Sequence, residues 1–264
     1  MSIGKLLLKY LGGKVSFQKL FEKIYNIGIM GMGYGELMSS NAPEKWSINY
    51  VLGKIPSKSI IFDVGANAGE YIKEIQVINE SFKKEIQYYS FEPNPKIFSV
   101  LQEKYKNNSA VIATNVALSN EANHDLKFYC YNNDVLSSFY KPDYSRGNNI
   151  DSEITIKTET LENFCALFKI NEIDFLKVDT EGHDYFILLG SKKMIDKKQI
   201  KFIQFEFSDM NIISKTTFKD FWDLLSENYV IYRECKDGLY ELQSYNTLNC
   251  EIYYPNNFLA EVKK

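Results

Sequence analysis

The stretch IIFDVGANAGEYIKEI, Ile60 to Ile75, sets the architecture of this chain. A run of apolar β-formers ends in an acid, Asp63, and enters a loop with glycines at 65 and 69. The pattern after Gly69 is helical. A strand that hands over to a helix through a glycine loop holds a small molecule against the strand's end. The glycines stand four apart with none at position 67, which departs from the G-x-G-x-x-G loop that wraps a pyrophosphate.

Outward from this loop, strand-like and helix-like segments alternate. Strands are predicted at 59–64, 85–92, 110–118, 173–179 and 200–207, and helices at 70–80, 95–106, 184–195 and 216–227. That rhythm predicts an α/β fold, a doubly wound, Rossmann-like, mostly parallel sheet of seven strands. Residues 124–158 break it, with HDLKFYCY and ITIKTETL read as an antiparallel pair around a polar loop. YVIYRE through CEIYYP is read as the closing antiparallel strands. Residues 1–55 are predicted to be a helical extension or lid, with a glycine-rich break at 28–35 and a short helix over 43–52. Residues 56–264 form the ligand-binding domain.

In such sheets the ligand lies outside the carboxyl ends of the strands. The endings here are Asp63, Glu92, Asn115 to Leu118, Asp179-Thr180-Glu181 and Glu206, and four of the five carry an acid. Asp63 would repel a pyrophosphate but attract a cationic ligand. Glu92, 29 residues further on, offers two acceptor oxygens to the hydroxyls of a ribose. Asn115 to Leu118 is polar then small, as a flat adenine requires. S-adenosylmethionine, a nucleoside with an ammonium and a sulfonium, satisfies all three endings. Acids after strands also serve as helix N-caps, but Asp63 is separated from its helix by the whole GANAG loop.

Composition narrows the classes. The chain has 264 residues, 45% hydrophobic and 25% charged, with a net charge of −3. Its mean hydropathy is −0.29. This argues against a partner that must be bound by neutralising phosphates, so no nucleic acid is expected. Cys130, Cys165, Cys235 and Cys250 form no CxxC pair and are read as reduced thiols of a cytoplasmic protein. No apolar run is long enough to cross a bilayer, so no stable membrane insertion is expected. The basic N-terminal segment IGKLLLKYLGGK is read as a helix packed on its own domain, with a surface-resting amphipathic helix as the alternative. A lid, a dimer contact and a membrane-facing surface all stay open for these helices.

DVGANAGEY, SFEPNP, NVALSN and FLKVDTEGHDYFILLG followed by IQFEFS together resemble the FkbM-type methyltransferases, over roughly residues 58 to 210. D-T-E-G-H-D is the most specific part. The resemblance implies the class I S-adenosylmethionine-dependent fold and O-methylation of a hydroxyl on a sugar, glycan or sugar-nucleotide, often in cell-surface polysaccharide biosynthesis. It implies that Asp63, Gly65, Ala66, Asn67, Gly69, Glu92 and Pro93 hold the cofactor, with Asn115 and Ala117 near the adenine and Asp179 at its other end. A nicotinamide-dependent oxidoreductase and a non-catalytic S-adenosylmethionine-binding domain are the alternatives.

Methyl transfer from a sulfonium is in-line displacement, and a sugar hydroxyl needs a base in reach. His183 is proposed for that role, with Asp179 and Glu206 completing the catalytic set. Asp179, Glu181 and Glu206 either orient the acceptor and cofactor or bind Mg²⁺. No metal is assigned, a divalent ion being the less favoured reading. Glu181, Ser138, Arg146 and Tyr34 are candidates for the acceptor, with Ser137, Tyr140 and Trp46 nearby in irregular segments.

Overall fold

The computed structural model describes residues 3–35, 42–131, 137–141 and 150–264. In chain order its strands are β1 (Lys58–Val64), β2 (Glu85–Phe91), β3 (Val111–Thr114), β4 (Ala117–Leu118), β5 (Asp125–Tyr131), β6 (Ile150–Glu159), β7 (Ile173–Val178), β8 (Ile200–Phe207), β9 (Tyr229–Cys235), β10 (Gly238–Glu241) and β11 (Asn256–Val262). Eight form the main sheet in the order β10-β9-β11-β8-β7-β1-β2-β3, and β4-β6-β5 form a smaller one. Strands β3, β2, β1, β7 and β8 are mutually parallel. Strand β11 lies antiparallel between β8 and β9. The expected seven-stranded sheet thus carries β10, the hairpin partner of β9, as an eighth strand at its edge.

Every residue of β7 is buried, because helices cover both faces of the sheet and leave no solvated side for an alternating pattern. Neighbouring side chains in a strand point to opposite faces. Ile61, Phe175, Phe202 and Leu259 therefore pack in one layer, with Ile48, Val51 and Leu52 of the helix Ala42–Lys54. Phe62, Leu176, Ile203 and Phe258 pack in the other. Burying each such side chain stabilises the fold by roughly 1.5–3 kcal/mol.

Three segments depart from the sequence reading. Residues 110–118 are two strands, not one: β3 ends the main sheet, and β4 joins the small sheet through Ala117 and Leu118, opposite Thr158 and Glu159 of β6. The helix predicted over 184–195 is two, Asp184–Leu189 and Lys192–Asp196. The break falls at Gly190, where a Cβ would stand 2.2 Å from the Ser119 carbonyl oxygen. CEIYYP contains no strand; Thr247–Cys250 is a helical turn, and β11 begins only after Pro255, which has no N–H to give a ladder.

The chain leaves β1 toward β2 and β3 on one side and returns through β7 and β8 on the other. The carboxyl ends of β1 and β7 therefore flank the switch point, where an open sheet forms a crevice. Among the described residues no helix is long and apolar enough to cross a membrane.

Candidate active site

A cavity of about 740 Å³ opens at this switch point. Its floor is the backbone of the loop after β1. Gly65 has φ +81°, and a Cβ there would stand 1.9 Å from the Asp179 carbonyl oxygen. Gly69 has φ +78°, and a Cβ would meet the Tyr105 ring at 2.6 Å. Only glycine permits both approaches. The Gly65 and Ala66 amides donate to the Phe91 carbonyl at 3.0 Å, tying the loop to the end of β2.

Glu92 locks the same junction. One carboxylate oxygen accepts from the Asn67 amide at 2.9 Å and the other from the Asn94 amide at 2.8 Å. Glu92 and Pro93 both line the cavity, with Gly65, Ala66, Asn67 and Ala117. Gly69, by contrast, lies behind the wall, its carbonyl accepting from the Tyr105 hydroxyl. Asn115 also corrects the expectation. Its side-chain amide donates to the carbonyls of Glu92 and Pro93, so it braces the turn, while Val116, Ala117 and Leu118 form the wall.

The cavity has two chemically distinct ends. Phe91, Val116, Leu118, Phe128, Phe139 and Ile187 make one end apolar, suited to a flat heterocycle. Glu44, Glu74 and Asp179 make the other acidic around Lys177, and Glu181 also lines the wall. Lys177 lies 3.2 Å from Asp179 and 3.5 Å from Asp63, and 4.7 Å from the centre of the Tyr71 ring. Burial works against its charge, but Asp179, Asp63 and Glu44 outweigh burial and hold the ammonium above its ordinary range. Asp63 does not line the cavity. It is 1% exposed, and neither oxygen finds a hydrogen bond among the described residues. Its ion-pair partner is Lys177, and burial raises its carboxyl with that ammonium opposing.

The turn after β7 is built on Asp184, which is fully buried. It accepts from the amide and hydroxyl of Thr180 at 3.2 and 2.9 Å and from the Glu206 amide at 3.3 Å, joining the ends of β7 and β8. Burial pushes its carboxyl up to about 7, with Asp179 adding to the effect. Glu206 is held well above the ordinary carboxylate range by burial and by the charges of Asp179, Glu181 and Asp184. Its side chain is absent from the cavity wall. Among the described residues no three His, Cys, Asp or Glu side chains are arranged to hold a metal ion, and Asp179, Glu181 and Glu206 make no such group.

His183 is not brought to the cavity. It is 4% exposed, packed against Phe139 and Phe186, and burial lowers its imidazole to about 3. Nδ1 lies 3.0 Å from the Tyr140 hydroxyl and Nε2 2.9 Å from Ser119 Oγ. Because Ser119 donates onward to Asn120 Oδ1, Nε2 carries the proton and Nδ1 accepts from Tyr140. A neutral ring with both nitrogens engaged is a brace, not the base its position in the sequence suggests. It borders a second, smaller cavity of about 550 Å³ with Ser119, His124 and Tyr140.

Four residues named for the acceptor are also corrected or left aside. Ser138 donates its hydroxyl to the Glu181 carbonyl at 2.8 Å, and its neighbour Ser137 lines the cavity instead. Tyr34 has no exposed surface and packs beneath Arg233, far into the core. Trp46 stacks on Tyr50 and does not reach the cavity. Arg146 lies outside the described residues. Sequence reading missed Glu44, which reaches the site from the helix Ala42–Lys54 and accepts from Asn257 at 3.1 Å. Burial raises its carboxyl, with Lys177 opposing. No local signal marked it, since only closure of the fold places that helix over β7.

These residues fit S-adenosylmethionine. The apolar end suits adenine, Glu92 stands where a ribose would lie between the ends, and the acidic end suits the ammonium and sulfonium. The match to a known protein family agrees with this reading. The model of the methyltransferase FkbM domain matches residues 63–235. The 2-O-methyltransferase NoeI of Sinorhizobium fredii is 23% identical over 164 residues, a match spanning 58% of this chain and 65% of that protein. The crystal structure of a methyltransferase FkbM from Methylobacillus flagellatus superposes with a TM-score of 0.44 at 12% identity, covering 79% of this chain and 45% of the other. TrmK of M. capricolum, solved with S-adenosyl-homocysteine, superposes at 0.38 with 11% identity, over 83% and 69% of the two chains. The chain belongs to the FkbM family of S-adenosylmethionine-dependent methyltransferases.

Proposed function

We propose that this protein transfers a methyl group from S-adenosylmethionine to a hydroxyl of a sugar or glycan, with Asp179 as the base. The observation that carries the reading is the position of Asp179. Its side chain is 37% exposed at the cavity wall, beside Lys177 and between Gly65 and Glu181. When bound, S-adenosylmethionine supplies an electrophilic methyl group on a sulfonium. The backbone of Val64 to Ala68 and the Glu92 carboxylate hold the nucleoside, and the acidic end, with Glu44 and Glu74, holds the cationic tail. Transfer of that methyl group to the acceptor oxygen would leave the carbon–sulfur electron pair on sulfur, giving S-adenosylhomocysteine. Asp179 accepts the hydroxyl proton as the new bond forms, and Lys177 keeps that carboxylate placed. Glu181, in a left-handed conformation at φ +53°, lines the mouth and orients the acceptor.

Transfer to oxygen draws its support from the 2-O-methyltransferase relative, and the sugar is the acceptor class that the sequence resemblance implies. The test is a screen of monosaccharides and sugar-nucleotides with radiolabelled S-adenosylmethionine, on the wild type and Asp179→Asn. General-base loss typically costs about 10²–10⁴-fold in turnover. A fall of that size, with S-adenosylhomocysteine still bound, supports the reading. An Asp179→Asn protein that turns over normally removes Asp179 as the base. Transfer to nitrogen or carbon acceptors alone removes the hydroxyl.

A further inference from the structure

We infer that the two N-terminal helices, Ile3–Leu11 and Gln18–Gly31, dock on an anionic lipid surface. Neither is covered by its own domain. No described side chain of the first is buried, and Ile29 is the one buried residue of the second. Leu20, Ile24 and Ile27, spaced as one stripe of a helix, are 42%, 49% and 65% exposed. Leu8 and Tyr10 on the first helix are more than half exposed as well. Helices of nine and fourteen residues are marginal in water without a surface to bury their apolar stripe.

Charge identifies the surface. The segment 3–31 holds Lys5, Lys9, Lys14, Lys19 and Lys23 against one acid, Glu22, although the whole chain carries −3. All five lysines are exposed. Lys19 and Lys23 form the row beside Leu20 and Ile24, so their stems border the apolar stripe while their ammonium groups reach outward. An apolar stripe edged by lysines, with tyrosines at 10 and 25, is the pattern of a helix lying in the plane of a bilayer surface. Pairing with the same face of a second copy would set lysine against lysine.

The helices are also fastened to the body. The Gly35 amide donates to the Pro255 carbonyl at 3.0 Å, and Asn257's neighbour Asn256 donates its side-chain amide to the Gly33 carbonyl at 3.0 Å. Tyr34 between them is fully buried, with the Arg233 guanidinium 5.2 Å from its ring centre. A Cβ on Gly35 would fall 1.8 Å from the Tyr254 ring, so the glycine-rich break is a close-packed anchor. Adsorption of the helices would therefore hold the catalytic body at the membrane rather than on a loose tether.

The test is flotation of the full-length protein with vesicles of phosphatidylcholine alone and with phosphatidylglycerol added. Binding to the anionic vesicles should exceed that to neutral ones by at least about tenfold and weaken with salt. The variant Lys5→Glu/Lys9→Glu/Lys19→Glu/Lys23→Glu and the variant Leu20→Ser/Ile24→Ser/Ile27→Ser should each lose it. Unchanged S-adenosylhomocysteine binding shows that both variants are folded. Equal flotation with both vesicle types, or flotation that survives charge reversal, overturns the proposal. So does a protein that ignores vesicles and forms a dimer broken by the serine variant, which would assign the stripe to self-association.

Discussion

Lys177 Nζ lies 3.5 Å from the buried carboxylate of Asp63, directly across the β1–β7 pair, at the point where the strand order reverses. The same ammonium reaches Asp179 at the cavity wall, so one cation joins a core acid to a site acid. Removing one partner of a buried pair leaves the other charge uncompensated, at a cost of about 3–5 kcal/mol. Lys177→Met should lower the free energy of unfolding by that order in urea titration, and S-adenosylhomocysteine binding should weaken with it. Lys177→Met combined with Asp63→Asn should recover part of the loss. A single variant as stable as the wild type would mean that Asp63 is already neutral.

Gly65 is irreplaceable for two separate reasons. Its φ of +81° is disfavoured for any residue with a Cβ, and that Cβ would overlap the Asp179 carbonyl. Gly65→Ala must therefore part the ends of β1 and β7, which together shape the cavity. Calorimetric titration should show at least about a hundredfold weaker S-adenosylhomocysteine binding, on the order of 3 kcal/mol. Affinity within a few-fold of wild type would show that the loop does not need the observed closeness.

His183 should behave as a structural brace with an acid-sensitive contribution. Its pKa falls from 6.5 unfolded to about 3 folded, so the native state refuses a proton that the unfolded chain accepts. The stability it contributes is present above the unfolded value and is lost as pH falls from about 6.5 toward 3, by up to roughly 1.4 kcal/mol per pH unit. His183→Gln should be less stable than wild type at pH 7, through lost packing on Phe139 and Phe186, but should lose less as the solution is acidified. The pH profile of kcat/KM should keep its midpoint in the variant. A profile that loses its acidic limb would restore His183 as the base.

The parallel sheet was legible in the sequence because its central strands are short apolar runs that end in acids, as at Asp63 and Asp179, and helices follow. The glycine loop was legible because positive φ and close backbone approach both demand glycine. What sequence could not resolve was the direction in which each polar side chain points. Ser138 and His183 sit in the right segments, but their polar atoms serve neighbouring backbone and hydroxyl groups. Glu44 is the converse: nothing near it in sequence marks it, and only the packing of its helix brings it to Lys177. Asp184, the last letter of D-T-E-G-H-D, organises the turn from within the core, where a carboxylate reads as a site residue.

Glu234 offers a direct measure of how costly buried charge is in this core. It is fully buried on β9, its carboxylate accepts from Gln204 Nε2 at 2.7 Å, and Gln204 in turn accepts from Tyr71 beside Lys177. Burial raises its pKa from 4.5 to about 8, against the hydrogen bonds that favour the anion. A raised folded value means that the native state holds a proton the unfolded chain releases. Its stabilising contribution is complete below about pH 4.5 and is lost as pH rises to about 8, a total on the order of 3 kcal/mol or more. Glu234→Gln has the same shape, keeps an oxygen for Gln204, and cannot ionise. The variant should match wild type near pH 4.5 and become progressively more stable than wild type up to pH 8, with the difference flat beyond. Urea unfolding at half-unit intervals of pH would show this curve. Parallel wild-type and variant curves would mean that Glu234 titrates as an ordinary carboxylate, with water reaching it inside the sheet.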